Sequence, residues 1–113
     1  MRDFPEADWK ILRILAELAL ERFCKRVLEE AAPVVGAPEG TSIGFHERYL
    51  ALYNLLRKRN KELADTFDDL KRSTALFQLA GMRHRHLLTD EEFASFSQGT
   101  RDSVDKILTL PKG

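Results

Sequence analysis

Cysteine is nearly missing from this chain. Cys24 stands alone among 113 residues, so neither an intrachain disulfide nor a thiolate zinc set can be built. Long apolar runs are missing too: Arg13, Glu17, Glu21 and Arg22 cut the most apolar stretch well short of the roughly 20 residues a bilayer span needs. The start, Met1-Arg2-Asp3-Phe4-Pro5-Glu6, lacks the basic lead and uninterrupted apolar core of a secretory signal. These absences lead to the expectation of a cytoplasmic protein in a reducing compartment, without a membrane-spanning segment. Alternating strand patterns, internal repeats and low-complexity segments are also lacking, which leaves helix as the regular structure the pattern supports.

Net charge is zero, with 18 basic and 18 acidic residues, but the charges are segregated. Residues 45–86 hold nine basic against five acidic side chains, and the rest of the chain carries the opposite excess. Two parts of one fold, or two subunits, meeting with complementary charge account for this more simply than a phosphate-binding face. With 43% hydrophobic and 32% charged residues, the composition is that of an ordinary globular protein, and 113 residues suffice for one core.

The expected fold is all-α: one domain over residues 1–113, a small bundle of four or five helices with a long central helix and two short C-terminal ones. Pro5 suits the first turn of a helix, and Glu6 and Asp8 favour the positive end of its dipole. Trp9, Leu12, Ala16, Ala19, Phe23 and Val27 recur at three- and four-residue spacing, so a first helix over about 5–31 buries one broad face. Three glycines and two prolines in residues 32–44 then predict a loop.

From Phe45 a helical pattern runs to about residue 82. Tyr49, Leu56, Leu63, Leu70 and Phe77 are seven apart, which is heptad-like. The basic stretch Arg57-Lys58-Arg59-Asn60-Lys61 interrupts the partner row, so the alternatives are a continuous or gently bent helix and a break at Asn60; the surviving phase from Leu56 to Leu63 favours continuity. A 45–82 helix would be about 57 Å long, against a radius of gyration of about 13 Å for a compact chain of this size, so it would overhang its own domain. Further on, Thr89 and Glu92 have the spacing of a capping box, with Leu88 and Phe93 placed as a hydrophobic staple, which predicts a short helix over about 90–96. A last helix over about 98–110 carries Val104, Ile107 and Leu108 and stops at Pro111.

Residues able to carry chemistry are few and poorly grouped. His84 and His86 would point to different sides of a helix between Arg83 and Arg85, which repel a cation, and His46 is remote. Glu62, Asp65, Asp68 and Asp69 share a helical face but lack the histidines of a di-iron bundle, so ion pairing, as of Asp68 with Lys71 and Arg72, is the simpler expectation. The loop Gly36 to Ser42 is glycine-rich but has neither the upstream strand nor the lysine of a phosphate loop. Cys24, beside Phe23, reads as a small core hydrophobe, and Trp9, Tyr49 and Tyr53 as core aromatics rather than a pocket.

No catalytic, cofactor or metal residue is therefore assigned. In general appearance the chain resembles small helical bacterial proteins. The expected role is a homodimeric protein-interaction or regulatory module whose interface is Leu63, Phe67, Leu70 and Phe77, since an overhanging apolar stripe needs cover. The alternatives are nucleic-acid binding through the basic patch Arg57, Lys58, Arg59 and Lys61, which no helix-turn-helix or RNA-binding signature accompanies, and a small-ligand carrier or enzyme without a recognisable motif.

Overall fold

The periodicity of the sequence is realised as five α-helices in a computed structural model that describes residues 4–38, 40 and 42–110. They are α1 (Glu6–Val35), α2 (Phe45–Phe67), α3 (Ala75–His84), α4 (Asp90–Ala94) and α5 (Gln98–Leu108), with no strand among the described residues. Helix makes up 75% of them, and no helix is long and apolar enough to cross a membrane.

Helix α1 continues four residues beyond the predicted end at Ala31, straight through Pro33. Its last turn holds no basic residue, and Arg48 supplies one from α2 instead: its guanidinium donates to the carbonyls of Val34 (3.0 Å) and Val35 (2.6 Å). A cation on otherwise unpaired C-terminal carbonyls satisfies both the hydrogen-bonding and the dipole requirement of a helix end. The connection to α2 shortens accordingly, and Gly40 turns it with a φ of +84° that only glycine adopts freely.

The predicted 45–82 helix is corrected. Helix α2 passes unbroken through Asn60 but ends at Phe67, and residues 68–74 form a turn before α3. Two local causes are present: Asp68 and Asp69 compete with helical backbone bonding through their short carboxylates, and Asp69 takes a left-handed conformation with φ +51°. The tertiary cause is larger. Folding back buries Ala75, Leu79, Ala80 and Met82, while the Gln78 amide donates to the carbonyls of Thr66 (3.3 Å) and Asp68 (2.9 Å) at the C-terminal end of α2. Arg72 turns to the Phe4 carbonyl and to Glu6 (2.8 Å) rather than forming the expected pair with Asp68.

The core lies at one end of the antiparallel α1–α2 hairpin, where Leu12, Ala16, Ala19 and Phe23 of α1 meet α3 and the C-terminal helices through Leu79, Met82, Leu87, Phe93, Phe96 and Val104. Helix α3 is buried on most sides, as its mixture of Ala, Leu and Met around the whole circumference requires. Gly81 faces α2, where a Cβ would meet Thr66 at an ordinary 3.8 Å. The capping box is fully formed: Thr89 Oγ1 accepts from the Glu92 amide (3.1 Å), and the Glu92 carboxylate accepts from the Thr89 amide (2.8 Å). Leu88 and Phe93 both belong to the core. Thr89→Ala is expected to cost about 1 kcal/mol and lower the melting temperature by roughly 4–8 °C, read by thermal circular dichroism.

The opposite end of the hairpin projects beyond this core. The radius of gyration is 17.5 Å and the extents are 56 × 30 × 23 Å, against about 13 Å for a compact chain of this length. What overhangs is therefore the second half of α1 with the first half of α2, not the end of the long helix anticipated from the heptads.

Candidate interaction surface

The residues predicted as an interface are separated by the turn at 68–74. Leu63, Phe67 and Leu70 are half-buried against the chain's own core, where Phe67 meets Phe23 edge-on with ring centroids 6.1 Å apart. Phe77 is 58% exposed but stands on α3. The four do not form one continuous stripe.

The stripe that stays open runs along the hairpin. On α2, Phe45, Tyr49, Leu56, Leu63 and Phe67 fall on one line at spacings of four and seven, with Tyr53 beside it. On α1, Leu20, Cys24, Leu28 and Val35 do the same. Leu20 and Phe67 line a shallow groove of about 260 Å³ together with Trp9, Ala16 and Leu70, which places both lines on the same side of the hairpin. Near the core this side is covered by the chain itself; beyond it, Leu28 is 69%, Phe45 84% and Tyr49 66% exposed, and Val35, Tyr53 and Leu56 are exposed as well. Tyr49 and Tyr53 thus lie on the surface rather than in the expected core, and no groove among those described joins them to Trp9.

The other side of the hairpin is polar and occupied. Arg26 and Glu30 of α1 line a groove with Arg59 and Glu62 of α2 and with Arg85. The connection from α3 to α4 is fastened there: Arg26 donates to the carbonyls of Arg85 (2.6 Å) and His86 (2.5 Å), and Arg22 donates to the Leu87 carbonyl (2.8 Å) and the Glu92 carboxylate (2.6 Å). That pairing, aided by the Thr89 amide, holds the Glu92 carboxyl down at about 2.

The basic patch is divided. Arg59 is clamped between Glu30 and Glu62, both at 2.8 Å, which keeps its guanidinium charged and lowers the Glu30 carboxyl. Arg57, Lys58 and Lys61 are exposed. His84 and His86 line an open groove of about 590 Å³ with Arg83, Thr89 and Asp90, but its guanidinium is already engaged, paired with Asp90 at 2.6 Å and stacked 4.6 Å over the Phe93 ring. Among the described residues, no three His, Cys, Asp or Glu side chains converge as a metal site would need.

The buried polar side chains all work at helix ends or turns. Asp8, 2% exposed, accepts from the Ser97 amide (2.9 Å), the Ser97 hydroxyl (2.6 Å) and the Thr100 hydroxyl (2.5 Å), so it ties the start of α5 to the start of α1. Burial would raise this carboxyl, but the two hydroxyl bonds and the amide bond outweigh it and hold the group below its ordinary value. Thr66 links the Glu62 carbonyl to Arg85, and Gln78 takes a bond from Thr74 (2.6 Å). Among the described residues, no buried side-chain nitrogen or oxygen lacks a hydrogen-bond partner.

No protein-family model, curated protein or solved structure matches this chain.

Proposed function

We propose that the chain is a homodimeric protein-interaction module of the cytoplasm that acts through helical surfaces rather than through chemistry of its own. The observation that carries this reading is the projecting hairpin, with Phe45 and Tyr49 at 84% and 66% exposure on a face that the fold leaves open. Apolar side chains grouped in this way mark association surfaces in soluble proteins. Two-fold pairing is the simplest use of such a face, because one patch then covers its own copy. The free Cys24 supports a reducing compartment. Nucleic-acid binding is less well supported, since Arg59 is committed to two carboxylates.

Light scattering coupled to size exclusion tests the assembly. The expected mass is twice the 13.0 kDa of one chain at micromolar concentration; a mass of one chain, unchanged as concentration rises, overturns the homodimer.

A further inference from the structure

We infer that the polar side of the hairpin carries a binding site for a small oxyanion of the phosphate type, received between Arg26 of α1 and Arg85 at the end of α3. The site does not depend on the homodimer reading, because it lies on the side of the hairpin opposite the open apolar face.

The first support is how the arginines on this side are partnered. Arg22 is paired with Glu92 at 2.6 Å, and Arg59 with Glu30 and Glu62 at 2.8 Å. Arg26 and Arg85 have no carboxylate partner among the described residues. Arg26 donates to the backbone carbonyls of Arg85 (2.6 Å) and His86 (2.5 Å), and Arg85 donates through Nε to Thr66 Oγ1 (3.0 Å). Neutral acceptors hold both side chains in place without cancelling their charge. The terminal nitrogens of Arg85 remain as unused donors, and those of Arg26 have N–H groups to spare.

The second support is that both arginines line one groove, together with Arg59, Glu30 and Glu62. Three guanidiniums against two carboxylates leave a positive surplus, and Lys58 stands near enough to help lower the Glu30 carboxyl. Phe23 and Val27 complete the wall, and beside apolar surface a charge–charge contact is stronger than in open water. The groove holds about 180 Å³. A water takes about 30 Å³, so this admits one phosphate-sized ion with a few waters. It is smaller than the about 300–1,000 Å³ of sites for drug-sized ligands. A tetrahedral anion offers oxygens to both arginines at once, and so ties the hairpin to the end of α3.

Titration of the full chain with inorganic phosphate at constant ionic strength, followed by nuclear magnetic resonance, tests the site. The expected result is saturable binding in the millimolar range that shifts the Arg85 Nε–H signal. Arg85→Gln is expected to weaken binding about ten-fold or more, whereas Arg57→Gln, which removes an exposed charge outside the groove, leaves it unchanged. Glu62→Gln is expected to strengthen binding about five-fold by removing a repelling carboxylate, a gain that damage to the fold does not produce. Phosphoserine separates the sources: if it binds as phosphate does, the site takes a phosphoryl group on a larger molecule, and if it does not, the free ion. The absence of a saturable shift in the wild-type chain overturns the site. Equal weakening by Arg57→Gln and Arg85→Gln also overturns it, since that marks a general effect of charge.

Discussion

Leu79→Ala is expected to cost about 3–4 kcal/mol and lower the melting temperature by roughly 12–25 °C. Leu79 has no exposed surface and sits on α3, the helix buried on most sides, so its removal leaves a cavity that no single neighbour can fill. Alanine is at least as good a helix former as leucine, so the loss reports packing alone. Chemical denaturation monitored by circular dichroism measures it. A cost below about 1 kcal/mol would mean that the core collapses around the site and that α3 is not the centre of the fold.

Asp8→Ala is expected to cost about 2–4 kcal/mol, because it removes the acceptor for the Ser97 amide and the two hydroxyls of Ser97 and Thr100 at a buried helix start. The same site makes stability depend on acid. The folded Asp8 carboxyl lies below its unfolded value, so its contribution is complete above about pH 4 and is lost as the pH falls through the folded value. Glu92 acts in the same direction: its contribution is complete above about pH 4.5 and lost towards its folded value of about 2. The denaturant midpoint should therefore hold from pH 7 to about 5 and fall steeply below 4. In Asp8→Asn and Glu92→Gln variants the fall should be shallower. A wild-type midpoint that stays level down to pH 3 would contradict both assignments.

Much of this architecture is legible from local pattern. Periodicity located α1 and the start of α2, and the capping box at Thr89 and Glu92 located α4, because those signals involve neighbours within four residues. The end of α2 was not legible in the same way. The heptad phase continues past Phe67 through Leu70 to Phe77, and a pair of aspartates is a weak breaker beside it. Asp8 was read as a dipole partner in the first turn, yet it occupies the same phase as Leu12, Ala16, Ala19 and Phe23. An acid at a core position signals a buried bond, although its partner, Ser97, is 89 residues away.

The apolar stripes of both hairpin helices are written in the sequence, as is the helical class. Which stretch of stripe stays open was decided only by tertiary structure. Spacing sets which side chains share a face, since that is a property of one helix; whether the face is covered depends on where the chain turns back. Here the turn at 68–74 sets α3 against Thr66 at the end of α2, through Gln78 and Gly81, while Phe45, Tyr49 and Tyr53 at the other end of α2 stay in water.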